Sequence, residues 1–196
     1  MSHRGLLGPT LFLIYINDIP DDVTSTIRLF ADDCVIYRPV GNSEDHILLQ
    51  KDLDTLVQWS ETWQMEFNVK KCAIVQFTSS KKKNPFYYTM KGEPLEIVHH
   101  HPYLGVELSD SLKYHLHIDN ICKKASSVLG FLKRNLKHCP PKVKERAYQS
   151  PVWPMVEYAT PIWNPQQKTQ IKQVEQIQRN TARFVKNQPY NSERPV

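Results

Sequence analysis

The segment Ile27-Arg28-Leu29-Phe30-Ala31-Asp32-Asp33-Cys34-Val35-Ile36-Tyr37 sets two adjacent carboxylates between apolar, strand-like flanks, with neither glycine nor asparagine to make an ordinary hairpin turn. Like charges repel, and beside apolar neighbours each ionised carboxylate also loses hydration, so a positive partner is expected at the junction. A divalent cation is the economical choice. Magnesium prefers oxygen ligands and takes one or two protein carboxylates, leaving its other positions to water and substrate phosphates. The chemistry implied is phosphoryl transfer. The same residues also suit a solvated turn between two strands, since aspartate is a common turn residue.

Around this pair, residues 26–31 and 34–38 alternate like paired strands, which predicts Asp32 and Asp33 at a hairpin tip. Residues 10–19 read as an apolar helix or buried strand, entered through Gly8-Pro9 and ended by Pro20-Asp21-Asp22. Past a turn at 39–42, Ser43 is placed to cap a helix whose Leu49, Leu53, Leu56 and Val57 follow the helical period and cover one sheet face. Further strands are expected over 72–78 and 103–108, a solvated turn at 81–85, and a hairpin of 86–90 with 95–98 around Lys91-Gly92-Glu93-Pro94.

From about Ser109 the period changes from two to 3.6. Ile118, Ile121, Ala125, Val128, Leu129, Leu132 and Leu136 mark one face of a long helix, with Lys123 and Arg134 on the opposite face and Pro140-Pro141 as its stop. A helical stretch broken by Pro151, Pro154 and Pro161 follows through Trp163. The last helix, over 167–186, packs Val174, Ile177 and Phe184 on one side and presents Lys168, Lys172, Arg179, Arg183 and Lys186 as a basic ridge on the other.

Charge divides along the same line. Residues 1–109 hold 10 Lys+Arg against 14 Asp+Glu, and residues 110–196 hold 15 against 6, within a chain of net charge +5. An acidic half beside a basic half suits a metal-binding portion next to one that tracks a polyanion, because clustered lysine and arginine supply the sequence-independent part of nucleic-acid affinity. No apolar run approaches the roughly 20 residues of a membrane helix, and the first residues lack a cleaved signal's layout. A soluble protein in the nucleus or cytoplasm is therefore expected. Cys34, Cys72, Cys122 and Cys139 have no close paired spacing, so they are expected to be reduced, mostly buried thiols.

The order of motifs is itself informative. Gly5-Leu6-Leu7-Gly8-Pro9-Thr10-Leu11-Phe12-Leu13-Ile14-Tyr15-Ile16-Asn17-Asp18-Ile19-Pro20, then Leu29-Phe30-Ala31-Asp32-Asp33, resembles the middle of a reverse transcriptase from a non-LTR (LINE-type) retrotransposon of the jockey-like group. Downstream, Trp63-Gln64-Met65 with Phe67-Asn68-Val69-Lys70-Lys71-Cys72 looks like the next polymerase motif, and Tyr103-Leu104-Gly105-Val106 like the primer-grip motif. His117-Ile118-Asp119-Asn120-Ile121, Leu129-Gly130-Phe131-Leu132 and Glu157-Tyr158-Ala159 with Trp163 look like the thumb region.

The resemblance implies an α+β fold: a partial palm over residues 1–109, with an antiparallel sheet and covering helices, then a helical basic thumb over 110–196. It implies RNA-directed DNA synthesis with two Mg²⁺ ions, an RNA template, a DNA primer and deoxynucleotides. By motif match Asp32 is the metal ligand and Asp33 its support, while Phe30 and Ala31 border the primer end and incoming nucleotide. Lys71 matches the lysine that protonates pyrophosphate. Tyr103, Leu104 and Gly105 match the residues that hold the primer. Lys123, Arg134, Lys168, Lys172, Arg179 and Arg183 are the candidate contacts to the RNA/DNA duplex backbone.

Other residues are expected to be structural. Trp59, Trp63 and Phe67 should anchor the core, Lys70 and Lys71 also suit shielding of a strand edge, and His99-His100-His101 should be surface, since consecutive strand residues alternate faces. Departures from the family pattern bear on activity. Ser2-His3-Arg4 stands where the family carries Pro-Gln-Gly, and Pro151 and Trp153 replace a helix-compatible residue and an arginine. The second obligatory aspartate and the fingers belong to upstream segments that these residues do not include, which leads to an expectation of inactivity in isolation. A non-catalytic nucleic-acid-binding remnant is the alternative, and an unstable fragment with exposed apolar surface is a third.

Overall fold

Why the chain folds as it does is clearest where apolar periodicity meets capping. The structure, a computed structural model, describes residues 4–19, 21–78 and 86–188, with side chains from Leu7 onward; the turn expected at 81–85 and Pro20 lie outside the described residues. Seven α-helices appear among these: α1 (Arg4–Tyr15), α2 (Ser43–Thr62), α3 (His115–Asn135), α4 (Pro141–Gln149), α5 (Val152–Glu157), α6 (Thr160–Trp163) and α7 (Lys168–Val185). The strands are β1 (Thr26–Phe30), β2 (Asp33–Tyr37), β3 (Ala73–Val75), β4 (Thr89–Met90), β5 (Glu93–Pro94), β6 (Glu96–Val98), β7 (His100–Tyr103) and β8 (Val106–Ser109).

The mixed helix-and-strand class expected from the sequence is present, but the strands form four two-stranded pairs, β1–β2, β3–β6, β4–β5 and β7–β8, in place of one antiparallel sheet. Strands of two to five residues offer too few ladder bonds to recruit more neighbours. The chain groups into two compact units, Met1–Ile74 with Ser80–Val98, and Val75–Ser79 with His99–Val196.

In the first unit, β1 and β2 pair in register Ile27↔Ile36 and Leu29↔Cys34 on the inward face, and Arg28↔Val35 and Phe30↔Asp33 on the other. Ile27 joins Ile16, Ile19, Leu53, Leu56, Tyr88, Met90 and Leu95 in the buried core. Helix α2 supplies Leu53 and Leu56 and is capped by Asn42, one residue before the expected Ser43. Asn42 has the extended backbone a cap needs; its side chain accepts from Asp45 N at 3.0 Å, and the Asp45 carboxylate accepts from the backbone of Gly41 and Asn42.

Two polar residues of α2, Asp52 and Ser60, are buried, and the first is charged. Asp52 is 2% exposed, and its carboxylate accepts from Ser25 N at 2.8 Å, Thr24 N at 2.9 Å and the Thr24 hydroxyl, with Arg38 Nη1 at 3.5 Å. Thr24 and Ser25 lead into β1 and Arg38 leaves β2, so one carboxylate holds both ends of the hairpin base. Burial by itself would raise the Asp52 carboxyl, but the hydrogen bonds from Ser25 and Thr24 outweigh it and hold it below the usual carboxylate range.

Several boundaries differ from expectation. Helix α1 starts ahead of Gly8-Pro9 and ends at Tyr15, with Pro9 inside it. Its Leu7, Leu11, Leu13 and Ile14 are exposed, an apolar surface that carries an aggregation hazard. The strand expected over 72–78 shortens to β3, preceded by a 3-10 turn at Val69–Lys71. The hairpin around Lys91 is tighter than expected: β4 pairs with β5 across Lys91-Gly92, whose positive φ values of 53° and 77° suit a two-residue turn. Trp59 and Phe67 pack on the core as expected, whereas Trp63 is 44% exposed, its ring edge-on to Tyr15 at 5.6 Å.

The second unit joins the β7–β8 hairpin to α3–α7. Residues 103–108 do not form one strand; the chain reverses at Leu104-Gly105. His100 and His101 are half-buried on β7, not surface, and His100 Nδ1 is buried without a hydrogen-bond partner among the described residues. Only His99 is exposed, paired with Asp110 at 2.8 Å. Ile118, Ile121, Ala125, Tyr148, Val152, Val156, Trp163 and Ile177 form the core, in agreement with the helical face read for α3. Pro151 interrupts no helix, because α4 has ended at Gln149 and α5 begins at Val152. Lys144 is buried, its ammonium donating to the Lys137 carbonyl at 3.0 Å and to Asn187 Oδ1, with the Phe184 ring 5.1 Å away.

Asp52→Asn is expected to destabilise the fold by about 2 kcal/mol, since it weakens charge-assisted hydrogen bonds in a buried network. Because the folded carboxyl titrates below its unfolded value of about 4, its contribution is present above that pH and fades as pH falls through the folded value. Urea unfolding between pH 7 and pH 3 checks both points: the gap between wild type and Asp52→Asn should narrow on acidification.

Candidate active site

Asp32 and Asp33 stand where the β1–β2 hairpin reverses. Phe30 pairs with Asp33, leaving Ala31 and Asp32 as the two turn residues. Without glycine, the reversal is made by Ala31 at φ 50°, a left-handed conformation that costs an L-residue about 1–2 kcal/mol. Both carboxylates are exposed, and the strand alternation puts Asp33 on the face away from the core with Phe30, which is 61% exposed. An aromatic side chain in water beside two carboxylates contributes little to folding.

The other candidate of this unit, Lys71, is exposed on the 3-10 turn at Val69–Lys71, an element separate from the hairpin. Cys34, directly after Asp33, is a free thiol pushed up to about 11 by burial and then by neighbouring Cys72, so at neutral pH it is a packing residue rather than a nucleophile. Asp18 accepts from Trp59 Nε1 at 3.0 Å and serves the packing of α2.

Tyr103, Leu104 and Gly105 lie at the reversal of β7–β8, in the second unit. Tyr103 pairs with Val106, and Leu104 and Gly105 take φ values of 46° and 76°. Glycine is required at the second position for two reasons: the positive φ, and the Tyr158 ring, whose Cε1 would lie 3.3 Å from a Cβ at Gly105.

Lys123 and Arg134 are exposed on α3, and Lys168, Lys172 and Arg179 on α7, which packs against α3. Arg179 is partly engaged by Glu175 at 2.9 Å. Arg183 is half-buried, and near it the Lys133 ammonium is lowered by burial and then by the Arg183 charge.

Sequence reasoning passed over Asp52 and Lys144, and it named His117 and Tyr158 only as members of matched motifs, with no role for either side chain. The signal for Asp52 was present: it falls on the Leu49, Leu53 and Leu56 face of α2, where a carboxylate needs partners. Tyr158 sits within a matched motif, but nothing in its spacing tells what its hydroxyl touches.

As a donor set, exposed Asp32 and Asp33 meet the one-or-two-carboxylate habit of a single magnesium ion. They do not amount to a two-ion site, and no group of three or more His, Cys, Asp or Glu converges among the described residues. Nor is any helix among these residues long and apolar enough to cross a membrane.

The carboxylate pair stands at a hairpin reversal beside an exposed aromatic residue, and sequence comparison gives the family. The profile described as "Reverse transcriptase (RNA-dependent DNA polymerase)" matches residues 5–108, more than half of the chain, which therefore belongs to that family. The chain is 28% identical over 200 residues to the RNA-directed DNA polymerase from mobile element jockey of Drosophila funebris, and 27% over 207 residues to that of Drosophila melanogaster. It is 26% identical over 190 residues to the probable RNA-directed DNA polymerase from transposon X-element of Drosophila melanogaster. These alignments cover 95%, 95% and 92% of this chain but only 22%, 22% and 21% of the relatives, so it spans about a fifth of their length. No solved structure matches it.

Ala31→Gly is expected to stabilise the chain by about 0.5 kcal/mol: relief of the left-handed cost exceeds the added unfolded-state entropy of glycine. Ala31→Val should destabilise it by more than about 1 kcal/mol, because a branched Cβ tolerates positive φ worst. Chemical denaturation of the two variants measures both.

Proposed function

We propose that the chain is the palm and thumb portion of a non-LTR retrotransposon reverse transcriptase, with residues 1–109 as partial palm and 110–196 as thumb. The observation that carries this reading is the exposed Asp32-Asp33 pair at a positive-φ hairpin turn inside the stretch matched by the family profile. In this reading Asp32 would hold Mg²⁺ with Asp33 in support, and the ion, when bound, would stabilise charge on the transferring phosphate. Phe30 and Ala31 border the primer terminus and the incoming deoxynucleotide. Lys71 delivers a proton to pyrophosphate. Tyr103, Leu104 and Gly105 hold the primer strand, and the basic residues of α3 and α7 contact backbone phosphates of the RNA/DNA duplex.

Activity of the isolated 196 residues is a separate matter. Two hairpin carboxylates satisfy one ion, and a two-ion reaction needs a further carboxylate from outside them. The chain alone is accordingly proposed to be silent. A non-catalytic binding role is the second reading, favoured by the exposed lysines and arginine on one face of α7.

Primer extension on an RNA template with Mg²⁺ separates these possibilities. The isolated chain should incorporate no nucleotide; a fingers and upstream palm segment fused ahead of Gly5 through Pro-Gln-Gly should restore incorporation, and Asp32→Asn in that fusion should abolish it, because an amide is a poor ligand for a hard dication. Incorporation by the unmodified chain that survives Asp32→Asn would overturn the assignment. In the isolated chain, Lys172→Ala should weaken duplex binding for all sequences alike and reduce the salt slope by about one.

A further inference from the structure

Leu104 keeps a left-handed backbone, φ 46°, that a leucine abandons unless its surroundings impose it. A two-residue reversal calls for positive φ at both central positions, and two contacts brace it in that state, one at each side of the turn. At the tip, the Tyr158 hydroxyl donates to the Leu104 carbonyl at 2.7 Å, with the Tyr158 ring lying against Gly105. Along β8, the backbone N–H of Glu107 donates to His117 Nδ1 at 3.1 Å.

The two contacts are joined through Trp163. Its Nε1 donates to the Tyr158 carbonyl at 2.7 Å, and its ring meets the His117 imidazole edge-on, with centroids 5.7 Å apart. Trp163 and His117 are buried, so this side of the circuit is rigid. Because Nδ1 accepts, the neutral imidazole carries its proton on Nε2. Tyr158 itself is exposed, and an exposed tyrosine contributes little to a core. Its hydroxyl fixes the carbonyl of a turn residue.

We infer that Tyr158 is the positioning residue of the β7–β8 turn, holding Leu104 and Gly105 in the conformation that grips the primer strand. The inference rests on the primer-holding role proposed above for Tyr103, Leu104 and Gly105. Tyr158 touches no substrate; it acts by limiting the turn to one backbone state, so that ordering is already in place when the primer arrives. Gly105 belongs to the same device, since a Cβ there would press on the Tyr158 ring.

The test uses the full chain, Tyr158→Phe, which keeps the ring, and Gly105→Ala, which disturbs the contact from the other side. Amide hydrogen exchange is followed at Leu104, Gly105 and Val106, with α3 as the internal fold control. In parallel, 4-thiothymidine at the 3′ end of a DNA primer on an RNA template is photo-cross-linked, and the yield on the turn peptide is measured. Exchange at the turn should rise about fivefold in Tyr158→Phe, the factor that one hydrogen bond of ordinary net strength amounts to. Cross-link yield should fall by a similar factor in both variants while exchange in α3 stays unchanged. Unchanged turn exchange, or faster exchange with an undiminished cross-link, overturns the positioning role. Equal loss of protection in α3 and the turn in both variants makes Tyr158 a residue of general stability and also overturns it. No turn cross-link from the wild-type chain overturns the primer-holding reading itself, an outcome distinct from the others because it appears before any substitution.

Discussion

A carboxylate removed from water must be hydrogen-bonded on every side, or its burial costs more than its contacts return. Asp52 meets that demand with groups taken from the open end of a single hairpin: the backbone and hydroxyl of Thr24, the backbone of Ser25 and the guanidinium of Arg38. The consequence reaches the far end. With its base fixed to α2 and its inward face seated through Ile27, Leu29, Cys34 and Ile36, the β1–β2 ribbon has no freedom to slip register. A slip of one residue would turn Asp33 toward the core and Cys34 to solvent. The exposed carboxylate pair is thus located by a buried carboxylate on another element.

The second unit meets the same problem with neutral groups and one buried cation. His117 receives a backbone N–H of β8, Trp163 donates to the chain at Tyr158, and Lys144 donates to the end of the α3 connection and to Asn187 after α7. Except at Asn187, where the acceptor is a side-chain oxygen, a side chain here completes the hydrogen bonding of a backbone group. The three hairpins among the described residues each carry a non-glycine residue at positive φ, Ala31 in β1–β2, Lys91 in β4–β5 and Leu104 in β7–β8. Strain of that kind persists only where the surrounding structure over-determines it; Asp52 anchors the β1–β2 ribbon at its base, and Tyr158 anchors the β7–β8 ribbon at its tip.

Much of this was legible in the residues. That two strands pair around Asp32-Asp33 follows from alternation on either side, although the turn falls on Ala31-Asp32 with Asp33 already in β2, and the α3 face of Ile118, Ile121, Ala125 and Leu129 follows from its period. Family membership was legible too, because motif order survives where pairwise identity falls to 28%. Short strands were not. Residues 103–108 read as one strand, since Leu104 looks like a strand residue, and it becomes a turn residue through the pairing of β7 with β8, braced by the contact from Tyr158. Histidines 100 and 101 read as surface, because local pattern cannot tell which faces of a ribbon will be covered.

What the sequence by itself determined, then, is what depends on neighbours along the chain: the helical faces, the carboxylate pair at a reversal, and the division of charge. Tertiary structure decided what depends on partners far away in sequence. Asp52 reaches Thr24 across 28 residues, and Tyr158 reaches Leu104 across 54. Such contacts leave no periodic trace, because a single hydrogen bond between distant residues constrains two positions and nothing between them. They nevertheless fix the backbone at the two turns on which the proposed chemistry rests.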